Sequence, residues 1–253
     1  MKDHTEGFSR HTFRQFNHEL DSIRTDMLAM GGVVERQIDD AIKAFVENDI
    51  QLAEKSRQLD QQTNQMELSI DNQCTKLIAI RQPTASDLRL LVSISRSVSD
   101  LERVGDEASR ICKMAIEIYN SGDKPEGYHE VRHIGTLVSG MIKDVLTAFA
   151  RQDLAMAYRV AKHDIRVDTE YRTAMRSLVT YMMEDPRSIS GILNVMWVLR
   201  SLERIGDHAR NLSEHLIYQV SGTDVRHQTL KSIKQTLHDD SPDDEYDLNP
   251  NSE

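Results

Sequence analysis

Proline is scarce in this chain of 253 residues, and within the first 238 only Pro83, Pro125 and Pro186 occur. A proline inside a helix removes a backbone donor and clashes with the preceding turn, so the long proline-free stretches leave room for long helices. Cysteine is scarcer still. Cys74 and Cys112 are the only two, which excludes a disulfide framework and suits a reducing compartment. Both lie inside helical patterns and read as small core residues. Aromatic residues make up only 5% of the chain. The longest largely apolar run, Gly191 to Leu199, is broken by Asn194 and is far short of the roughly 20 residues needed to cross a bilayer. Met1 to Arg10 is polar and lacks the apolar segment of a secretory signal. The expected location is the cytoplasm, with no membrane insertion.

Basic charge in excess is also missing. The formal net charge is −10, but Asp239, Asp240, Asp243, Asp244, Glu245, Asp247 and Glu253 crowd the C-terminus without a Lys or Arg among them. With that stretch set aside the body carries −3. A body so close to neutral has no global footprint for DNA or RNA, and nucleic acid is not an expected partner.

What the chain has is a repeat. Leu101-Glu102-Arg103-Val104-Gly105-Asp106-Glu107-Ala108 returns as Leu202-Glu203-Arg204-Ile205-Gly206-Asp207-His208-Ala209, with six of eight positions identical. Repetition at a long period decides architecture before any single residue does. Around it the composition is helical, rich in Ala, Leu, Met, Glu, Arg and Gln, without sustained β-branched alternation. The periodicity predicts six helices over 12–48, 50–80, 87–119, 130–150, 153–183 and from Pro186 to about 220. Gly31-Gly32 is a candidate kink in the first. Aligned on the repeat, the third helix matches the sixth, and Asp49 and Asp153 open equivalent second helices.

The expected fold is therefore all-α: two tandem, pseudo-symmetric three-helix bundles, packed side by side because neither buries enough surface alone. The divisions read as 1–122, 123–222 and a polar, acidic, disordered tail over 223–253. Met175, Tyr181, Met182, Met196 and Trp197, at helical spacing, read as core.

Projected on a helix, Leu91, Ile94, Val98, Leu101, Val104, Ala108, Ile111 and Cys112 form one apolar stripe that contains Gly105. A glycine costs about 1 kcal/mol relative to Ala within a helix, so Gly105 and Gly206 point to a close neighbour at both places. Glu102 and Asp106, like Glu203 and Asp207, stand four residues apart on the flank of that stripe. Like charges at this spacing oppose the helix. The plain reading is a salt-bridged acidic face, with Asp106 meeting Arg110. The sharper one is a half-site for a hard cation, since oxygen-rich clusters suit Mg²⁺, Mn²⁺, Ca²⁺ or iron. Asp60 from the second helix, and Asp164 with Asp168 from the fifth, would complete the sets. Asn64 replaces the acid matching Asp168, so a charge count makes the first cluster the weaker site.

His129-Glu130-Val131-Arg132-His133 fits the H-E-x-x-H pattern of zinc peptidases. It opens a helix after a turn and has no evident third ligand, so surface helix residues are the better reading. Glu126-x-x-His129 and Glu130-x-x-His133 lack the second copy that a di-iron bundle requires. With no Gly-rich phosphate loop or Cys-x-x-Cys, the sequence offers no catalyst.

The twin Leu-Glu-Arg-[Val/Ile]-Gly-Asp blocks resemble the PhoU family of bacterial phosphate-uptake regulators. So do Met30-Gly31-Gly32-Val33-Val34-Glu35, the stretch from Arg81 to Arg89, and Tyr181-Met182-Met183-Glu184-Asp185. The likeness runs from about Phe16 to Val220. It implies a cytoplasmic, non-enzymatic negative regulator. Such a protein connects the ATPase subunit of the phosphate ABC transporter with a membrane sensor histidine kinase, restrains phosphate uptake, and commonly forms homodimers. It also implies that a divalent metal or iron sits on the acidic motifs, here Glu102, Asp106, Glu203, Asp207, Asp164 and Asp168. The alternatives are a metal-dependent phosphohydrolase on the same carboxylates and a purely structural helical adaptor.

Overall fold

The structure, a computed structural model, describes residues 4–122, 126–226 and 228–239. The chain forms α1 (His4–Glu47), α2 (Ile50–Arg81), α3 (Ala85–Ser121), α4 (Tyr128–Arg151), α5 (Leu154–Glu184), α6 (Ile189–Ser221) and α7 (Leu230–Asp239). A single 3₁₀ turn, Pro186–Ser188, leads into α6. No strand occurs among the described residues.

The two halves start their helices by the same local chemistry. Asn48 and Gln152 take left-handed conformations, with φ of 58° and 55°, and so end α1 and α4. In the next position the Asp49 side chain accepts from the Leu52 N–H, and Asp153 accepts from Met156 N–H, which caps α2 and α5. Asp49→Ala and Asp153→Ala should each cost about 1 kcal/mol. Thermal unfolding of the single and double variants checks whether the two add.

α3 and α6 share the most extensive contact of any helix pair. α1 and α2 pack on α3, α4 and α5 pack on α6, and α1 meets α4. One continuous apolar core results, running through both halves. Every member of the α3 stripe is fully buried. Cys74 and Cys112 lie in the core, where burial pushes their thiols up to about 12 and about 11, so both are inert at neutral pH.

The α1–α4 contact shows the internal symmetry most clearly. A Cβ on Gly31 would lie 2.3 Å from Leu146 Cδ2, and one on Gly135 would lie 2.9 Å from Ile42 Cδ1. Gly31 and Gly135 are equivalent positions, as are Ile42 and Leu146. Each glycine therefore receives the large residue of the other half, the reciprocal pattern of an isologous interface. Gly135→Leu should cost about 2–3 kcal/mol by overpacking. Gly32→Ala, where nothing lies within 4 Å, should instead stabilise by up to about 1 kcal/mol; urea titration of both variants reads the contrast. The helix is continuous through Gly31-Gly32.

Two expectations need correction. The stretch from 223 is not all tail, because Val225, Ile233 and Leu237 are buried and α7 packs against α5. Its apolar residues were too few to outweigh the acidic composition beyond it; residues 240–253 lie outside the described residues. Met175, Met182 and Met196 do pack against the core. Trp197, however, is 63% exposed and Tyr181 is 36% exposed. Helical spacing alone does not fix which face of α6 turns inward.

Candidate functional site

Gly105 and Gly206 sit where the repeated motif meets its neighbours. A Cβ on Gly105 would lie 3.2 Å from Gln37 Oε1, and one on Gly206 would lie 3.3 Å from Val167 and 3.5 Å from Asp164 Oδ1. The close approach expected at both positions is present. It brings each acidic pair up to the second helix of its own half.

In the first half Asp60 and Glu102 are both shifted upward, by burial first and then by the Asp106 charge. Glu67 adds to the pressure on Glu102. Sequence reasoning missed Glu67, although it lies seven residues beyond Asp60 and so returns to nearly the same helix face. In the second half burial and Asp207 lift Asp164 to about 6, against Arg210, which pulls it down. Burial and Asp207 raise Glu203. Asp207 itself is open on one side, yet the protein mass behind it and Asp168 raise it.

Each cluster is thus a set of carboxylates that disfavour one another's charge, the setting in which a cation is welcome. Unpartnered buried oxygens agree with this. Gln37 Oε1, Asp60 Oδ1 and Asn64 Oδ1 lack hydrogen bonds around the first cluster, as does Glu203 Oε2 in the second. In kind, these acceptors fit a hard cation. In position they do not close a ligand set: no group of three His, Cys, Asp or Glu among the described residues is placed to hold a metal ion.

Arginines change the balance that counting acids gave. In the second half Arg200 bonds Glu203 at 2.7 Å, Arg172 bonds Asp168 at 3.1 Å, and Arg210 bonds Asp164 at 3.4 Å. No ion pair holds Asp60, Glu102 or Asp106 among the described residues. The expected pairing of Asp106 with Arg110 does not form. Arg110 turns to Glu107 at 2.7 Å, and Arg204 from α6 reaches the same oxygen at 2.9 Å.

That bridge explains the one of the repeat's two differences that is not conservative. Glu107 binds Arg204 across the α3–α6 interface, while its counterpart His208 reaches back to α3 and shares Asp100 with His215. His208 Nδ1 lies 2.9 Å from Asp100 Oδ1, and His215 Nε2 lies 2.9 Å from Oδ2. Asn211 donates to Asp100 at 3.4 Å. Burial pushes the Asp100 carboxyl up, but the two histidines hold it far below the usual carboxylate range.

Above this knot lies a groove of about 800 Å³ lined by Arg96, Arg103, Arg204, Arg210 and Arg226 among others. The sequence carried one sign of it: Arg89, Arg96, Arg103 and Arg110 recur every seven residues along α3. The zinc-peptidase pattern gathers nothing comparable. His129 is exposed, and His133 lies 3.8 Å from Glu170 on α5.

With the geometry in place, comparison with known proteins decides the relationship. The family model described as the PhoU domain matches residues 27–115 and again 131–216, once per half. The chain belongs to the PhoU family. The phosphate-specific transport system accessory protein PhoU homolog of Pseudomonas putida is 57% identical over 228 residues, covering 90% of this chain and 89% of that protein. The crystal structure of PhoU from Pseudomonas aeruginosa superposes with a TM-score of 0.81 at 57% identity, over 82% of this chain and 100% of that one. The PhoU regulatory protein of Streptococcus pneumoniae gives 0.77 at 30% identity, over 83% and 99%. Two PhoU domains correspond to the two bundles. No helix among the described residues is long and apolar enough to cross a membrane.

Proposed function

We propose that this PhoU-family chain is a cytoplasmic repressor of phosphate-starvation signalling. It links the ATPase subunit of the phosphate ABC transporter with a sensor histidine kinase, restrains phosphate uptake, and acts as a homodimer and not as an enzyme. The supporting observation is the family match over both halves, with relatives named as accessory proteins of the phosphate-specific transport system.

Signalling through such an adaptor requires different affinities for different states of its partners. One exposed face suits docking. Ile189, Leu193 and Trp197 recur every four residues on α6, and Val179 and Met183 near the end of α5 are exposed as well. Exposed apolar groups gathered in this way mark interaction surfaces on soluble proteins. Trp197→Ala should leave stability within about 0.5 kcal/mol and weaken capture of the purified ATPase subunit. Because Trp197 is the single tryptophan, its emission should shift to the blue when that partner binds; an unchanged spectrum at saturation would move the docking face elsewhere.

The acidic clusters belong to the same reading as a shape-holding device. By donor chemistry, and not by a ligand set already closed among the described residues, Glu102, Asp106 and Asp60 in one half, and Glu203, Asp207, Asp164 and Asp168 in the other, are the residues that would hold a divalent metal or iron. When bound, the ion would supply positive charge that neutralises these carboxylates. Glu102 and Glu203 meanwhile set how α3 and α6 sit against α2 and α5. Glu102→Ala with Glu203→Ala should loosen ATPase-subunit capture in the same assay, and full retention of capture would remove the clusters from the mechanism.

A further inference from the structure

We propose that the groove between α3 and α6 is a binding site for a chain of phosphoryl groups, of the kind found in tripolyphosphate and longer inorganic polyphosphates. Five arginines from three segments converge on it: Arg96 and Arg103 from α3, Arg204 and Arg210 from α6, and Arg226 from the segment after α6. This concentration stands out in a chain whose net charge is −10. Guanidinium groups present planar, paired donors that match phosphate oxygens.

Two of the five have donors to spare. Arg96 makes no hydrogen bond or ion pair among the described residues and rests on the Tyr218 ring, 5.8 Å from its centroid. Arg103 lies 3.7 Å from Asp100, too far for a hydrogen bond, and is 60% exposed. The acids in the groove are mostly spoken for. Both Asp100 oxygens face histidines, and Glu214 accepts from Arg210 at 3.1 Å. They orient the basic lining, and Asp207 is left as the opposing charge.

Size and lining narrow the class. At about 800 Å³ the groove far exceeds one orthophosphate. No Phe, Tyr, Trp or aliphatic side chain lines it, and its two imidazoles, His208 and His215, are both tied to Asp100, so a nucleobase lacks the free stacking platform that single-stranded nucleic-acid sites use. What remains is an extended anion recognised by its oxygens. The inference concerns a site apart from the acid motifs and does not depend on the regulatory reading.

Calorimetric titration of the full chain with sodium tripolyphosphate, orthophosphate, ATP and a poly-glutamate peptide tests it. Tripolyphosphate should bind at one site per chain, more tightly than orthophosphate or ATP. Arg96→Gln with Arg103→Gln should weaken it at least about tenfold, since charge-assisted pairs are the strong ones, and Lys43→Gln, away from the groove, should not. Should the double variant fail to fold by circular dichroism, exposed Arg226→Gln is expected to show the same loss. ATP binding as tightly as tripolyphosphate, with the same loss in the variants, would keep the phosphoryl site and make a nucleotide its source. Absence of binding at millimolar tripolyphosphate, unchanged affinity in the groove variants, or equal binding of poly-glutamate would overturn the proposal.

Discussion

Replacing Asp100 with Ala is expected to destabilise the protein by about 3–5 kcal/mol, the cost of removing one partner from a buried charged network. Asp100 is 4% exposed, and both of its carboxylate oxygens are taken up by His208 and His215 across the α3–α6 contact. Two buried imidazoles would lose their acceptor at once, and Asn211 a third contact. Asp100→Asn keeps one acceptor oxygen and should cost roughly half as much. The direction with pH follows from the lowered carboxyl. The folded state holds Asp100 ionised below the ordinary value, so its stabilising contribution is present above pH 4 and fades as acid titrates the folded carboxylate. Urea unfolding of the two variants at pH 7 measures both effects; a loss under 1 kcal/mol for Asp100→Ala would show that the knot does not hold the halves together.

Asp164→Asn should act in the opposite sense in metal-free protein. Burial and Asp207 raise this carboxyl to about 6, above the ordinary value near 3.8, so the folded state prefers the protonated acid. Its charge therefore costs stability at pH 7, and the cost shrinks as pH falls from about 6 to about 4. Two units correspond to roughly 3 kcal/mol, less whatever the 3.4 Å contact from Arg210 returns. With chelator present, the variant should be more stable than the native chain at pH 7 by about 1–2 kcal/mol, and the two should converge near pH 4. Excess Mn²⁺ should then raise the melting temperature of the native chain and do less for the variant, because a ligand stabilises only the state that binds it. A native chain indifferent to cations would leave the clusters as ordinary acidic faces.

Much of the fold was legible in the sequence where interactions are local or repeated. Proline positions, the Asp49 and Asp153 caps, the α3 stripe and the near-identical blocks each report on neighbours within a turn or two, and the helices follow from them. Gly105 and Gly206 pointed to close contacts because only a neighbouring element makes a mid-helix glycine worth its cost. Asp100 could not be found in this way. Its partners lie 108 and 115 residues away, and Asp100 matches Ser201, so no repeat drew attention to it. The pairing of Arg110 was misjudged for a related reason: Glu107, three residues away, is also held by Arg204 from the other half, which local spacing cannot reveal. The arginine groove combines both cases. Its α3 row is legible as a seven-residue rhythm, while Arg204, Arg210 and Arg226 join it only once α6 packs.

The most direct test of the regulatory account is a phosphate-starvation reporter in phosphate-replete cells that lack this chain. The account predicts high reporter output without the chain and restored repression when the native chain is supplied, with weaker repression from Trp197→Ala or Glu102→Ala with Glu203→Ala at equal protein levels. Reporter output that stays low in phosphate-replete cells with or without the chain would contradict it.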